Sequence, residues 1–395
     1  MDKALLLKIV DEAIKNTDFY KRHYENLEAG YRFEQLPFLK KEDIRADYKQ
    51  LVRHGTAEEE CIPYWTSGST GIPVKYIRSK EEFTKATLEM SKQRRKVDHR
   101  AFCGTICHFD KIVEPIQYVY HQHEKKELIL SLYNNSPERY ELFISAIKEF
   151  KPSIIQGYAS ALYQFAKYVL ETGRSMEGIS LVESRSEHLS SSQKKIINKA
   201  FNATVRSFYG LAEIFPVAYE CECGNLHICE KNVYVEIADE DESGIGEIVI
   251  TSLHSKTMPL IRYRTGDIGQ FRRMVCQCGS HEPVIELSHG RLDDVVSTPD
   301  GTVNSVILRR LYRFFYDEVA IAQLQIIQRG IHDFTVNIIP GSPPSIEAEN
   351  LIVSFLKGSL PQKINVEIKW VNTLEPHPVS GKVKLFFNEL MMRGK

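Results

Sequence analysis

The chain has 395 residues, 43% hydrophobic and 26% charged, and its 51 basic and 52 acidic residues leave a net charge of −1. This composition supplies a large core and two domains, and it excludes a disordered chain and a fold-wide basic field for nucleic acid. No apolar run reaches spanning length and the N-terminus lacks the pattern of a signal peptide, so the expectation is a soluble, cytoplasmic protein with no membrane or nucleic-acid partner.

Residues 1–50 alternate apolar and charged positions at helical spacing and close on the polar run LKKEDIRADYKQ. The stretch YWTSGSTGIPVKY follows, from Tyr64 to Tyr76, crowded with glycine and hydroxyl side chains. NNSPERYELFISAIKEFKPS predicts a helix, with Ser136 as cap, Pro137 in the first turn, and Leu142, Ala146 and Phe150 on one face. SIIQGY predicts a short strand ended by Gly157, and SALYQFAKYVLETG a helix stopped by Gly173. NVYVEIAD and GEIVITSL flank the acidic turn EDESGIG as a hairpin or neighbouring strands. Near residue 293 the pattern restarts: helix SVILRRLYRFF, strands AIAQLQIIQ and DFTVNII, helix IEAENLIVSFL, strand NVEIKWV. The fold class expected is α/β, with a large N-terminal α/β domain of layered sheets and helices over 1–292 and a small C-terminal α+β domain over 293–395.

In the glycine-rich stretch, Thr66, Ser67, Gly68, Ser69, Thr70 and Gly71 offer hydroxyls and close-approach amides, and Lys75 adds positive charge. Such a loop can wrap a polyphosphate, although it does not meet the Walker A spacing and, taken alone, is a flexible surface turn. SFYGLAEIFP sets Tyr209 before Gly210 and four residues before Glu213. A ring there can lie against a base and a carboxylate can hold Mg²⁺, or the segment is simply a strand end with a solvated glutamate. In MPLIRYRTGDIG, Asp267 follows a Thr-Gly turn and can accept the hydroxyls of a ribose; Gly-Asp turns are also common without ligands. GRLDDVVSTPDGTVN contributes Arg291, Asp293 and Asp294 where the composition restarts, as an interdomain joint or a charged hairpin. Lys382 stands after Ser-Gly on a terminal turn, where most lysines are merely solvated.

Eight cysteines occur, and CECG (Cys221, Cys223) and CQCG (Cys276, Cys278) repeat one Cys-x-Cys-Gly knuckle. Four thiolates suit a closed structural Zn²⁺ site, with His227 or Cys229 able to replace one ligand; reduced cysteines packed as small hydrophobes are the alternative. The near-neutral charge speaks against a nucleic-acid-binding zinc module.

Taken together, TSGSTGIPVK, YGLAE, YRTGD, GRLDD and SGK stand in the order of the adenylate-forming superfamily of acyl-CoA ligases, adenylation domains and luciferases, which the chain resembles along nearly its whole length. LPFLKKEDI, GYAS and CQCG resemble its phenylacetate–CoA ligase and capsule-biosynthesis branch. The resemblance implies that Thr66 to Lys75 hold the β- and γ-phosphates of ATP, that Tyr209 stacks on adenine and that Glu213 binds Mg²⁺. It implies further that Asp267 holds the ribose, that Arg291 reaches ribose or phosphate, and that Ser186 and Glu187 of SRSEHL form an adenine-contacting turn. Asp293 would be the hinge of a mobile C-terminal domain, and Lys382 would bridge the carboxylate and the α-phosphate, so that Lys382, Glu213 and Thr66 form the catalytic set. Ala212 replaces the usual threonine, a departure that bears on turnover rather than on nucleotide binding.

The implied activity is ATP-dependent activation of a carboxylic acid as acyl-AMP, then transfer to a thiol, that of coenzyme A or of a phosphopantetheinyl carrier protein. Transfer to an amine, or nucleotide binding without turnover, are the alternatives. Mg²⁺, lysine and loop amides would offset the repulsion between two anions. ICHFDKIV and QGYASAL would line the acid pocket through His108, Phe109, Tyr158 and Ala159, suiting an aryl or similarly compact acid, though core packing accounts for the same aromatics. A homodimer is compatible with this reading.

Overall fold

A computed structural model describes residues 3–28, 30–66, 74–101, 104–109, 119–122, 126–130, 136–185, 189, 191–240, 242, 244–272, 274–287, 295–304, 321–340, 343–360, 362–371, 374 and 386–391. The chain forms two compact units, one drawn from Met1–Thr66, Val74–Lys96 and Ser207–His289, the other largely from Val97–Arg206 and Gly290–Lys395.

In the first unit the helical N-terminus comes in short pieces. Lys3–Asn16 buries Leu6, Val10 and Ala13. Thr17 then serves two helices: its hydroxyl donates to the Ala13 carbonyl, and it accepts from the Tyr20 N–H to cap Asp18–His23. The sheet of this unit is antiparallel, in the order Val233–Ala238, Gly246–Ser252, Tyr263–Arg272, Val284–Leu287, Leu226–Ile228 and Ala218–Glu220. The hairpin expected from NVYVEIAD and GEIVITSL is its edge, with Val233 opposite Ser252 and Ala238 opposite Glu247.

The N-terminal segment is pinned to this sheet by buried polar anchors. The Tyr20 hydroxyl donates to the Pro259 carbonyl and accepts from the Ile261 N–H, both at 3.0 Å. Leu39 pairs with the Tyr263 strand, its N–H donating to Arg262 and its carbonyl accepting from Arg264. Tyr20, Tyr76 and Tyr263 are fully buried in the surrounding apolar cluster, so each hydroxyl must find a partner there.

The second unit carries the parallel strands Leu181–Arg185, Ile154–Gly157, Ile106–Phe109 and Glu127–Leu130, with Val119–Gln122 added antiparallel. The helix Pro137–Phe150 forms with proline in its first turn, as expected, yet the buried face differs: Phe143, Ile144, Ala146 and Ile147 are inside and Leu142 is 52% exposed. Phe143 packs against Phe109 and Phe165, and that ring cluster selects the face.

The smaller C-terminal domain is α+β. Its sheet runs Asn365–Trp370, Asp333–Pro340, Ile321–Gln328, Phe386–Asn388, with parallel outer pairs and an antiparallel centre. Ser345 caps Ile346–Ser359 by accepting from the Ala348 N–H, and that helix packs Ile352, Phe355 and Leu356 onto the sheet. The expected helix SVILRRLYRFF lies outside the described residues. Among the described residues no helix is long and apolar enough to cross a membrane.

Candidate active site

The strand Thr204–Tyr209 delivers Tyr209 to a loop that closes on itself. Val217 N–H donates to the Tyr209 carbonyl and Leu211 N–H to the Ile214 carbonyl, so Gly210 to Pro216 form a compact projection carrying Glu213. Asp267 reaches the same region from another strand. The pairing of Gly246–Ser252 with Tyr263–Arg272 slips between Glu247 and Val249, and Gly266 takes a φ of +78° there. Thr265 secures the slip: its hydroxyl donates to the Ile248 carbonyl and accepts from the Asp267 N–H.

Two tyrosine–carboxylate pairs result, one half-buried at Asp267 and one buried at Glu213. The Tyr209 hydroxyl donates to Asp267 Oδ2 at 2.8 Å, and the Tyr263 hydroxyl donates to Glu213 Oε1 at 2.6 Å. Glu213 is 4% exposed and Tyr263 is wholly buried. Burial first, and the neighbouring carboxylate second, hold both tyrosines well above the ordinary phenol pKa, so both remain donors at neutral pH. Each carboxylate keeps an oxygen with no protein donor among the described residues, the geometry of a site that can accept hydroxyls or a cation. Tyr263 is the member that sequence reasoning passed over, although it opens the YRTGD motif.

Thr66 ends the strand Ile62–Thr66 and pairs with Val74 of Val74–Arg78, so the two strands bracket the glycine-rich stretch. Ser67, Gly68, Ser69, Thr70 and Gly71 lie outside the described residues, as do Ser186, Glu187, Arg291, Asp293 and Lys382. Lys75 is engaged by protein groups: its ammonium donates to the Tyr48 hydroxyl at 2.7 Å and to Glu58 at 3.3 Å. Arg78, absent from the expected set, donates to the carbonyls of Ala212 and Glu213.

The four residues expected at the acid pocket are all buried. Phe109 packs between Phe143 and Phe165 in the core, and Tyr158 and Ala159 begin the helix Ala159–Glu171. His108 Nε2 stands 3.6 Å from the Glu127 carboxylate. A polar cavity of about 530 Å³ in the first unit, bordered by Arg53, Lys85 and Lys256, contains none of the expected site residues.

The cysteine knuckles converge. Cys221, His227, Cys276 and Cys278 bring their ligand atoms within 4.8 Å of one another. In both knuckles the glycine N–H closes a turn onto the first cysteine's carbonyl, with φ of +80° at Gly224 and +78° at Gly279, the left-handed geometry that favours glycine. Cys221 Sγ lies 3.7 Å from Cys276 Sγ, and Cys278 Sγ lies 3.3 Å from His227 Nε2. Zinc–sulfur bonds of about 2.3 Å in a tetrahedron set sulfur atoms about 3.8 Å apart, so the spacing fits. The Glu282 carbonyl, 2.7 Å from His227 Nδ1, can only accept; it therefore holds the proton on Nδ1 and leaves the Nε2 lone pair toward the thiols. The pKa of the Cys276 thiol is lowered to about 6, first by the Cys278 N–H and next by the Cys278 side chain, with smaller contributions from Asn225 and His227. Cys223 is exposed and outside the group of four, though its thiol interacts with Cys276; His227, on a strand opposite Val284, takes its place. Cys229 is buried apart from the group.

Residues 295–389 match the model of the CapK C-terminal domain. The chain is 24% identical over 398 residues to Protein CapK of Staphylococcus aureus, covering 95% of this chain and 86% of that protein. It is 24% identical over 316 residues to phenylacetate–coenzyme A ligase of Thermus thermophilus, covering 75% of this chain and 71% of that enzyme. Among solved structures, 2-hydroxyisobutyryl-CoA ligase in complex with 2-HIB-AMP and CoA in the thioesterification state superposes with a TM-score of 0.60 at 17% identity, covering all of this chain and 91% of that one.

Proposed function

We propose that this chain, a relative of CapK and of the phenylacetate–coenzyme A ligases with the fold of adenylate-forming enzymes, is an ATP-dependent acid–thiol ligase that forms AMP. The observation that carries the reading is the meeting of two distant motifs: Tyr209 with Asp267, and Glu213 with Tyr263. In this proposal Asp267 accepts the ribose hydroxyls of ATP, and Tyr209 orients its carboxylate while offering a ring to the base. Thr66 and the glycine-rich stretch cradle the phosphates, with Ser186, Glu187 and Arg291 at the nucleotide. Glu213 presents its second oxygen to Mg²⁺, which supplies charge neutralisation on the phosphates when bound.

The carboxylate of the acid attacks the α-phosphorus of ATP, the bond to pyrophosphate breaks, and pyrophosphate leaves with its electron pair. Lys382, on a C-terminal domain turning about Asp293, stabilises the two anions as they meet. The acyl-AMP then loses AMP to an attacking thiol, which gives up its proton. Coenzyme A is the thiol favoured here, a carrier-bound phosphopantetheine being the variant of the same chemistry. His108 and Tyr158 are proposed to border the acid, taken as aryl or similarly compact.

A separate part of the proposal is a structural Zn²⁺ held by Cys221, His227, Cys276 and Cys278. Three thiolates and one imidazole close the coordination sphere, so the metal would staple two knuckles and take no part in the reaction.

The decisive measurement is acid-dependent exchange of pyrophosphate into ATP across a panel of carboxylic acids, followed by acceptor trials with the best acid. Exchange with one chemical class of acid and thioester formation with coenzyme A are the expected results. ATP binding without exchange for any acid would leave a nucleotide-binding protein, and amide formation in the acceptor trial would move the assignment to an amine acceptor.

A further inference from the structure

Arg78 ends the strand that follows the glycine-rich stretch and is 3% exposed. Its Nη2 donates to the carbonyl of Ala212 at 2.8 Å and to that of Glu213 at 2.7 Å. The guanidinium lies over the Tyr64 ring at 4.4 Å and the Phe215 ring at 4.9 Å. Among the described residues no carboxylate forms an ion pair with it. Burying a guanidinium costs desolvation, which the two carbonyl hydrogen bonds and the ring contacts offset.

What it enforces is specific. Holding the carbonyls of two successive residues fixes the two peptide planes that flank Glu213, and hence the direction in which its side chain leaves the backbone. The far end of the same side chain is held by the Tyr263 hydroxyl at 2.6 Å. Glu213 is therefore gripped at both ends, with Oε2 the carboxylate oxygen left without a donor among the described residues. A planar guanidinium stacked on rings does this, whereas an ammonium lacks both the plane and the stacking.

We propose that Arg78 is a positioning residue that fixes Glu213 for the divalent cation of the bound nucleotide, from the strand that leaves the glycine-rich stretch. The inference rests on the nucleotide reading above and adds to it a residue that none of the family motifs contains. Its effect should appear in metal affinity, with nucleotide affinity in the absence of metal little altered.

The test uses the full chain and Mn²⁺, titrated by electron paramagnetic resonance in the presence of a non-hydrolysable ATP analogue. Analogue binding is measured separately without divalent cation. Arg78→Lys should weaken Mn²⁺ by about tenfold or more, since the planar, ring-stacked hold on the two carbonyls is lost, while metal-free analogue affinity stays within about twofold. In a Glu213→Gln background Arg78→Lys should weaken Mn²⁺ no further, because it acts through Glu213. If Arg78→Lys does not fold, Tyr64→Leu removes one stacking ring, keeps the arginine, and should shift Mn²⁺ affinity the same way by about threefold. Unchanged Mn²⁺ affinity in the folded variant, equal loss of metal-free analogue affinity, or additivity with Glu213→Gln overturns the role of Arg78 alone. A wild-type protein that binds the analogue with no bound Mn²⁺ overturns the Glu213 assignment and this inference with it.

Discussion

In the proposed site Asp267 and Tyr209 would divide one task between them. The carboxylate is the group that would meet the ribose diol, and the phenol holds it by a 2.8 Å hydrogen bond. Asp267→Ala removes charge-assisted bonds worth roughly 1.5–3 kcal/mol each, so ATP affinity should fall by at least about tenfold with the ranking of acids unchanged. Tyr209→Phe keeps the ring and loses only the hold, and should cost less. His108→Ala should reorder the acids and leave ATP affinity nearly intact. An Asp267→Ala protein that reorders acids while binding ATP normally would mean the motif serves another pocket. The phenols also make a pH prediction. Tyr209 and Tyr263 are held above the ordinary value of 10.0 by burial and by their carboxylates. The unfolded chain therefore loses these protons first, so stability is intact below pH ~10 and declines above it. Urea midpoints measured from about pH 8 to about pH 11 should show a shallower decline for Tyr209→Phe than for wild type; parallel slopes would show that Tyr209 is not the group responsible.

Individual elements show which patterns a sequence can carry. Residues 233–252 are legible because alternation and an acidic turn both demand a hairpin, and the pairing from Val233–Ser252 to Ala238–Glu247 meets both. The C-terminal strands and the helix Ile346–Ser359 were legible for the same reason of period. Pro137–Phe150 was legible as a helix but not in its orientation. Its apolar residues offer two overlapping faces, and the rings of Phe109 and Phe165, distant in sequence, decide between them. Phe143→Ala should accordingly cost about 3–5 kcal/mol while Leu142→Ala stays within about 0.5 kcal/mol. Equal losses in chemical denaturation would mean the helix is rotated from the orientation described. At the candidate site, the family motifs single out Tyr209, Glu213 and Asp267, whereas Tyr263 and Arg78 contact them only through folding: 50 residues separate Tyr263 from Glu213, and 135 separate Arg78 from it. No local pattern marks a side chain whose role is to hold another in place. The same limit explains His227, whose approach to Cys278 is set by strand register 51 residues away.

At the scale of the molecule, the question is how the knuckles contribute to the unit that contains both tyrosine–carboxylate pairs. Cys221 follows the strand Ala218–Glu220, which runs from the Glu213 loop, and Cys276 follows Tyr263–Arg272, which carries Asp267. A metal joining them closes a chain segment of 55 residues. By analogy with a covalent cross-link, closing such a segment in the unfolded chain contributes on the order of 3–5 kcal/mol. The pairs themselves rest on contacts independent of the knuckles: Val217 bonded back to Tyr209, and Thr265 bonded to Ile248. Loss of metal should therefore lower stability strongly and leave the nucleotide affinity of the folded fraction nearly unchanged. Protein purified without chelator should contain about one zinc per chain. His227→Ala and Cys276→Ser should lose that zinc and melt earlier, whereas Cys223→Ser should keep both the zinc and the melting temperature, because its thiol stands outside the group of four. Metal analysis and thermal melts on these three variants decide the matter. Loss of zinc in Cys223→Ser with retention in His227→Ala would return the ligand set to four cysteines, and wild-type protein free of metal would reduce the knuckles to packed thiols.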